Sequence, residues 1–303
     1  MIGNEKIDYK KYLKPEVVSR LKNMKLRARL VVEGFITGLH RSPYHGFSVE
    51  FSEYRPYIPG DEIRHIDWKV YGKTNRFYIK QFEEETNLKS YLLLDVSGSM
   101  GYSSHKITKL EYASYLAAAL TYLMIEQRDA VGLVAFDKKI RKYLPPRSIT
   151  SYLPQILREL EHIECSEITD VSSTFHEMAE RIHRRGLIVI LSDLYDEPEK
   201  VISGLKHFRH KKHEVIVFHI LDPMEINFDF NRNSLFKDME TGDELTTQPW
   251  HIKAEYQKRV KQFIENYKRQ CRLNGIDYVS LNTSQDFDLA LMEYLIKRKR
   301  IGG

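Results

Sequence analysis

The spacing of apolar positions along the chain changes near residue 88. After this point, short continuous apolar runs alternate with longer segments whose apolar residues recur at helical intervals. The short runs predict buried strands, and the longer segments predict helices. The predicted strands are 91–96, 130–136, 186–194, 214–222 and 275–282. The predicted helices are 107–127, 151–163, 173–185, 198–208, 252–274 and 286–300.

This alternation predicts the α/β fold class, with a doubly wound and mostly parallel sheet that helices cover on both faces. Two segments depart from the alternation. Residues 139–144 favour an antiparallel hairpin with the strand before them, and residues 223–250 predict an inserted β-hairpin. In a doubly wound domain, ligands bind at the carboxyl ends of the strands, so we expect functional residues there.

The N-terminal part of the chain follows a different pattern. Residues 14–33 fit a helix. The residues that follow are rich in glycine and proline, and segments 47–54 and 76–85 alternate as strands do. The sequence therefore predicts a smaller N-terminal module over 1–87, a helix plus a β-rich part, and an α/β domain over 88–303.

Composition and charge exclude several classes of protein. Hydrophobic residues make up 42% of the chain and charged residues 29%, which is typical of a folded globular protein. The 47 Lys and Arg residues exceed the 42 Asp and Glu residues by only 5, so a nucleic acid partner is not expected. No apolar run approaches the roughly 18 residues that cross a bilayer. Cys165 and Cys271 are too few for a disulfide framework, so we expect a cytoplasmic protein without transmembrane segments.

Several polar clusters favour a structural interpretation over a functional one. Residues 60–69 could form a contact surface or a hydrolytic pocket, but they also fit a turn into a strand. His40 and His45 fit a surface loop better than a zinc site. The basic runs 209–213 and 297–300 could contact phosphate groups, but without a nucleic-acid motif they fit solvated helix ends better.

Oxygen-bearing side chains cluster where the first predicted strand of the α/β domain ends. Asp95, Ser97 and Ser99 are spaced two residues apart in the sequence LLLDVSGSMG. Alternate residues of an extended segment point the same way, so one carboxylate and two hydroxyl groups can converge on one point. Oxygen ligands without histidine or thiolate suit Mg²⁺ or Mn²⁺ rather than zinc. The sequence therefore predicts a magnesium or manganese site at this strand end.

Two later loops offer matching oxygen atoms. Thr169 and Asp170 stand just before a predicted helix, and Asp193 follows the predicted strand 186–194. The carboxyl ends of parallel strands meet at one edge of a sheet, where these loops can approach each other. The predicted metal site consists of Asp95, Ser97, Ser99, Thr169 and Asp193. Because Mg²⁺ keeps several water ligands, a carboxylate from a partner could complete its coordination.

These motifs resemble the metal-ion-dependent adhesion site (MIDAS) of von Willebrand factor A domains. D-x-S-x-S after an apolar strand, T-D before a helix and L-S-D after another strand match all five positions of that site. Residues 34–87, from GFITGLHRSP to FEEETN, are similar to the bacterial "domain of unknown function 58" family, and the resemblance extends over about residues 25–300. It implies a von Willebrand factor A or Rossmann-like fold. It also implies a role as adaptor or co-chaperone partner of a MoxR-type AAA+ ATPase.

The chain departs from the family pattern near one predicted ligand. Glu167 and Ile168 replace the glycine pair that usually precedes Thr-Asp, so Thr174 is an alternative to Thr169 as a ligand. Many family members also carry transmembrane helices ahead of this region, whereas none is expected here.

The function expected from these observations is a non-enzymatic, Mg²⁺-dependent protein-binding module whose partner supplies an acidic residue. The GxSxG and GxxxxGKS motifs of hydrolases and ATPases are absent from the sequence. A metal-dependent hydrolase that uses the same Asp, Ser and Thr residues is the alternative, although the sequence shows no evident base. A structural scaffold with an empty site is a third interpretation.

Overall fold

The computed structural model has a six-stranded sheet at its centre, with helices on both faces. It describes residues 14–19, 23–39, 55–57, 68, 71–72, 75–79, 88–165, 171–230, 232, 234–237 and 244–302. The strands are β1 (Arg55–Pro56), β2 (Tyr78–Ile79), β3 (Lys89–Asp95), β4 (Ala130–Phe136), β5 (Ile140–Arg147), β6 (Leu187–Ser192), β7 (Glu214–Leu221), β8 (Ser234–Lys237), β9 (Glu244–Thr247) and β10 (Asp277–Asn282). The helices are α1 (Pro15–Val18), α2 (Met24–Leu39), α3 (Lys109–Glu126), α4 (Leu153–Glu161), α5 (Val171–Arg181), α6 (Pro198–His210), α7 (Pro223–Asn227), α8 (Pro249–Leu273) and α9 (Asp288–Gly302).

The strand order of the central sheet is β10-β7-β6-β3-β4-β5. Neighbouring strands are parallel except β4 and β5, which form the antiparallel pair that the sequence predicts. The structure therefore confirms an α/β fold with a mostly parallel sheet, which is mixed because β5 lies antiparallel at its edge. The chain leaves β3 toward β4 and leaves β6 toward β7, in opposite directions along the sheet. The carboxyl ends of β3 and β6 therefore flank the crevice where a doubly wound sheet binds ligands.

Each face of the sheet has its own hydrophobic core. Leu92 and Leu94 of β3 lie in one core, and Leu93 lies in the other, because alternate residues of a strand point to opposite faces. Helices α2, α3, α4 and α9 contribute to the first core, whereas α5, α6 and α8 contribute to the second. The alternation places the side chain of Asp95 on the same face as Leu93.

The N-terminal helix differs from its prediction. The sequence predicts one helix over 14–33, whereas the structure has the two helices α1 and α2, and α2 continues to Leu39. Apolar side chains of α2, including Met24 and Phe35, are buried in the core that α3 shares. Glycine has low helix propensity, but packing against α3 stabilises α2 and lets it continue past two glycines. The division of the chain at residue 88 remains a prediction.

Two small antiparallel pairs accompany the central sheet. Strand β1 pairs with β2, and β8 pairs with β9. The β8–β9 hairpin lies within residues 223–250, where the sequence predicts an insertion. Some predicted features fall outside the described residues, namely strand 47–54, His40, His45 and, apart from Trp68, segment 60–69.

The two basic runs contribute ion pairs at the amino ends of the strands. Arg209 donates to Glu214 at the start of β7 over 2.8 Å. Lys297 lies 2.8 Å from Glu214 and 2.9 Å from Asp277, and Arg300 lies 3.7 Å from Asp277. These contacts join β7, β10 and α9. Lys297 is buried among them, so at this residue the predicted solvated helix end is wrong.

Gly132 of β4 faces the backbone of β5. A β-carbon built there would lie 2.6 Å from the carbonyl oxygen of Leu144 and 2.8 Å from the nitrogen of Pro146. Both neighbours are backbone atoms, so we expect Gly132→Ala to lower the free energy of unfolding by about 1–3 kcal/mol. Gly72→Ala is the control, because a β-carbon there meets no atom within 4 Å. Urea denaturation measures both variants, and equal stabilities would contradict this close approach.

Candidate functional site

Asp95 ends the central strand β3 and is fully buried. Its Oδ1 atom accepts a hydrogen bond from the backbone nitrogen of Ser97 at 2.9 Å. Its Oδ2 atom accepts one from the hydroxyl of Ser192. Ser192 is the last residue of the neighbouring parallel strand β6. The ends of both strands therefore fix the orientation of the Asp95 carboxylate.

The hydroxyl oxygens of Ser97 and Ser99 lie 3.1 Å apart. Ser97 is buried and has an extended backbone, and a 3-10 turn follows over Gly98–Gly101. The extended backbone at Ser97 brings its side chain to the side of Asp95, as the spacing in the sequence predicts. Ser99 lies in the 3-10 turn rather than in an extended segment, and this turn brings its hydroxyl to that of Ser97. Asp95, Ser97 and Ser99 therefore come together at the end of β3.

Asp193 follows β6 and is also buried, but its carboxylate has a different partner. Its Oδ2 atom accepts a hydrogen bond from Nζ of Lys109 at 2.8 Å. Its Oδ1 atom accepts one from the backbone nitrogen of Tyr195 at 3.2 Å. Of Asp95 and Asp193, Asp193 is therefore the one that pairs with a lysine within the described part of the chain.

The turn after Asp193 contains a strained residue. Leu194 is buried and has a left-handed backbone, with φ at 55°. Its nitrogen donates to the hydroxyl of Ser192 at 2.9 Å, and its carbonyl oxygen accepts from the hydroxyl of Tyr267 at 3.2 Å. Non-glycine residues in this conformation are concentrated at functional sites, where surrounding contacts maintain the strain.

The electrostatic state of Asp95 depends on its burial and on Asp193. Burial, followed by the charge of Asp193, raises the pKa of Asp95 to about 7. Hydrogen bonds from Ser192 and Ser97 lower this pKa in part. A bound cation would stabilise the ionised form against both burial and the neighbouring charge. The Asp95 carboxylate is therefore placed where a cation is electrostatically favourable.

Lys109 is a residue of this region that the sequence motifs do not indicate. It is the first residue of α3, and its side chain is fully buried. Its Nζ atom contacts Asp193 and also lies 2.6 Å from Oε1 of Glu225. Burial would lower the pKa of Lys109, but the charges and hydrogen bonds of both carboxylates raise it overall. A cation at a helix N-terminus is disfavoured by the helix dipole, and the two carboxylates offset this cost.

Glu225 reaches Lys109 from the short helix α7, which follows β7. Its Oε2 atom accepts a hydrogen bond from the backbone nitrogen of Asp222 at 2.8 Å, as part of a capping box. The Asp222 carboxylate accepts one from the backbone nitrogen of Ser104 at 2.9 Å. Burial raises the pKa of Glu225, and the charge of Lys109 offsets this rise in part. The loop after β7 thereby brings a third carboxylate, which is partly buried, to the region.

His219 of β7 supports the Asp193 turn without adding charge. Its Nε2 atom lies 2.8 Å from the carbonyl oxygen of Asp193, and its Nδ1 atom contacts the hydroxyl of Tyr278. Full burial lowers the pKa of His219 to about 4, so the ring is neutral at pH 7. A ring that donates through Nε2–H and accepts at Nδ1 satisfies both contacts.

His105 is the candidate for a base that could activate Ser97 or Ser99. Its Nδ1 atom lies 3.4 Å from Oδ2 of Asp222, a pairing that the sequence pattern does not indicate. Neither ring nitrogen makes a hydrogen bond within the described part of the chain. His105 therefore does not activate Ser97 or Ser99 in this arrangement.

The remaining predicted ligand, Thr169, lies outside the described residues, as do Asp170 and the pair Glu167-Ile168. Its alternative, Thr174, is buried in α5. The hydroxyl of Thr174 donates to the carbonyl oxygen of Asp137 at 3.0 Å. This hydrogen bond ties α5 to the end of β4.

Cys165 precedes the undescribed segment 166–170 and is affected by the charges of the site. Although the residue is exposed, loss of hydration around the thiol raises its pKa to about 11, with contributions from the charges of Asp95 and Asp193. Cys271 is buried. Both are free thiols.

The donor atoms at the end of β3 are a carboxylate and two hydroxyl groups, which are hard ligands of the kind that Mg²⁺ and Mn²⁺ bind. Where the chain is described, no group of three or more His, Cys, Asp or Glu side chains is placed to hold a metal ion. A metal ion at this strand end would therefore need serine hydroxyl groups among its ligands, and the D-x-S-x-S segment supplies two of them.

Comparison of sequences identifies relatives over most of the chain. The family model described as "Protein of unknown function DUF58" matches residues 53–265. The uncharacterized protein Mb1516 of Mycobacterium bovis is 23% identical over 296 residues, which cover 94% of this chain and 91% of the relative. The uncharacterized protein Rv1480 of Mycobacterium tuberculosis has the same identity and coverage.

Solved structures with a similar chain path come from Bacteroides species. BatB from Bacteroides thetaiotaomicron has a TM-score of 0.49 at 17% identity, covering 70% of this chain and 98% of its own. An aerotolerance-related membrane protein from Bacteroides fragilis has a TM-score of 0.48 at 17% identity, covering 70% of this chain and 99% of its own. In the present chain, none of the described helices is long and apolar enough to span a membrane.

Proposed function

Because the chain belongs to the DUF58 family of proteins of unknown function, we propose that it is a non-enzymatic, Mg²⁺-dependent protein-binding module. The observation that carries this proposal is the convergence of Asp95, Ser97 and Ser99 at the carboxyl end of β3. This edge of the sheet is where doubly wound domains bind their ligands. Ser99 is partly exposed, whereas Asp95 and Ser97 are buried, so solvent reaches the cluster from the side of Ser99.

The proposed site is a von Willebrand factor A-like MIDAS with Mg²⁺ or Mn²⁺ as its ion. Asp95, Ser97, Ser99 and Thr169 are the ligands, and Asp193 adds negative charge beside them. When bound, the ion supplies a Lewis-acid position that takes a carboxylate oxygen from a partner. Ser192 holds the Asp95 carboxylate in one orientation, as residues behind a metal ligand commonly do.

The proposed partner is a MoxR-type AAA+ ATPase that supplies the acidic residue, with this chain as its adaptor or co-chaperone in the cytoplasm. Membership of the DUF58 family supports this choice, because the resemblance to that family implies a MoxR-type partner. The electrostatics of Asp95 support the requirement for a cation, since burial and the charge of Asp193 raise its pKa and a cation would offset both.

Two measurements on purified protein test the proposal. Titration calorimetry with Mg²⁺ and Mn²⁺ should detect binding of a single cation. A MoxR-type ATPase from the same organism should then be retained by the immobilised chain with Mg²⁺ and released by excess chelator. Retention that persists in chelator would contradict a metal-dependent contact. Mg²⁺-dependent hydrolysis of phosphoesters would favour the hydrolase alternative.

A further inference from the structure

The edge of the central sheet at which its parallel strands begin carries a network of charged side chains. Glu214 begins β7 there, and Asp277 begins the neighbouring strand β10. The carboxylate of Glu214 lies 3.2 Å from Arg185 and 2.8 Å from both Arg209 and Lys297. One carboxylate at this edge therefore has three basic neighbours.

The second carboxylate belongs to the same network. Asp277 lies 2.9 Å from Lys297 and 3.7 Å from Arg300. Burial would raise the pKa of Glu214, but its basic neighbours lower it overall, so this carboxylate is ionised at pH 7. Even with both carboxylates ionised, the four basic side chains outnumber them by two. The side chains of Arg185 and Arg300 are 66% and 67% exposed, so solvent reaches the surplus positive charge.

Further basic side chains lie along the same edge, on the loops before β4, β6 and β7 and at the ends of α8 and α9. The exposed ones are Arg128, Arg184, Lys211, Lys212, Arg272 and Lys299. Among the described residues of these loops and helix ends, acidic side chains are fewer. Asp129 is buried against Arg298, and Glu126 is exposed at the end of α3. Glu180 lies 2.9 Å from Lys211. We call this positively charged surface the basic edge.

An exposed leucine lies within the basic edge. Leu273 ends α8, is 70% exposed and precedes the turn into β10. A β-carbon built on Gly275 in this turn would lie 3.4 Å from the Arg209 guanidinium, so the turn adjoins the charged network. Surfaces that bind anionic bilayers combine apolar side chains, which enter the headgroup layer, with basic side chains that are attracted to the lipid charge.

We propose that the basic edge docks on a bilayer surface that contains anionic lipids. Five parallel strands begin at this edge, so its loops spread over about 20 Å and suit a broad, flat surface. A single-stranded nucleic acid would instead favour aromatic side chains on which its bases stack. The exposed large apolar residue in the described part of this edge is a leucine, which favours a lipid surface.

Docking by the basic edge leaves the candidate metal site accessible. Asp95 ends β3, whereas the basic edge lies where the same strand begins. The 7 residues of β3 separate the two by about 20 Å. A chain held on a bilayer by this edge therefore directs Asp95 away from the lipid, and the docking itself does not require a bound metal ion.

Co-sedimentation with lipid vesicles tests this inference, with excess chelator present so that metal bridges do not contribute. The wild-type chain should bind vesicles of phosphatidylcholine with about one third phosphatidylglycerol, but not vesicles of phosphatidylcholine alone. Raising the salt concentration from about 0.1 to 1 M shortens the Debye length from about 10 to 3 Å and should release the protein.

Two charge-reversal variants of equal net charge locate the docking surface. Arg184→Glu with Lys212→Glu changes the basic edge, so we expect vesicle affinity to fall at least about tenfold, because each basic side chain near an anionic surface adds to binding. Lys138→Glu with Lys139→Glu changes two exposed residues between β4 and β5, at the opposite edge. This control should keep its affinity within about twofold, because its charges lie beyond a Debye length from the lipid.

A matched pair of leucine substitutions tests the apolar contact. Leu273→Ser should weaken vesicle binding at least about threefold. Leu289→Ser, which changes an exposed leucine near the start of α9 at the opposite edge, should leave it unchanged.

The proposal is overturned by equal binding to vesicles with and without anionic lipid, or by equal losses in the two charge-reversal variants. Binding of a mixed-sequence oligonucleotide, measured by fluorescence anisotropy, without binding of anionic vesicles would also overturn it and assign the basic edge to nucleic acid. Because chelator is present throughout, neither result alters the separate test of Mg²⁺ binding at Asp95.

Discussion

Replacing Asp95 with alanine should weaken Mg²⁺ binding by at least about 100-fold, because substitutions behind a metal ligand already cost 10- to 100-fold. Asp95 supplies the negative charge of the D-x-S-x-S segment, and the hydroxyl groups of Ser97 and Ser99 cannot replace it. Binding of the protein partner should be lost together with the cation. Calorimetric titration measures the first effect, and partner retention with and without chelator measures the second.

Asp95→Asn separates the charge of this residue from its hydrogen bonds. Asparagine keeps an oxygen that can accept from Ser97 or Ser192, but it carries no charge. We therefore expect Asp95→Asn to lose Mg²⁺ binding as Asp95→Ala does. Its free energy of unfolding without divalent cations should stay within about 1 kcal/mol of the wild-type value, since a buried charge is removed. Mg²⁺ affinity retained in both variants would remove Asp95 from the metal site.

Replacing Asp193 with alanine should destabilise the fold more than Asp95→Asn does. We expect a loss of about 3 kcal/mol in the free energy of unfolding. The substitution leaves the buried ammonium group of Lys109 with Glu225 as its remaining carboxylate. Removing one member of a buried ion pair is costly, because the other charge stays in a medium that solvates it poorly. Urea denaturation in the presence of chelator measures this loss without a contribution from bound metal.

A double substitution shows whether the loss comes from the unpaired charge. Asp193→Leu combined with Lys109→Met replaces two members of the ionic cluster by apolar side chains. Such replacements are often neutral, so the double variant should be more stable than Asp193→Leu alone. Equal free energies of unfolding for Asp193→Ala and Asp95→Asn would show that the Lys109–Asp193 contact does not stabilise the fold.

The sequence predicts those parts of the site that depend on local spacing. A period of two in an extended segment is enough to bring Asp95 and Ser97 to one side, and a buried apolar run is enough to locate β6 and the residues after it. The sequence predicts an extended segment at Ser99 as well, but a 3-10 turn places that side chain. The order of strands in a doubly wound sheet then places both loops at one edge. These relations involve neighbouring residues or a repeated topology, so they can be inferred from the sequence.

The contacts of Lys109 could not be predicted in the same way. Lys109 is 84 residues from Asp193 and 116 residues from Glu225, and no periodicity links positions so far apart. The two aspartates look equivalent in the sequence motifs. The structure distinguishes them because Lys109 pairs with Asp193, whereas the described partners of Asp95 are Ser97 and Ser192. The extent of α2 likewise depends on tertiary packing against α3, which overrides the low helix propensity of its glycines.

The edge strand β5 has a consequence for self-association. Its sequence IRKYLPPR combines three basic side chains with two adjacent prolines. Proline has no backbone N–H group to offer a further strand, and like charges repel a second copy that aligns beside it. Edge-to-edge aggregation through β5 is therefore opposed at high protein concentration. We accordingly do not expect a partner to lengthen the sheet on this side.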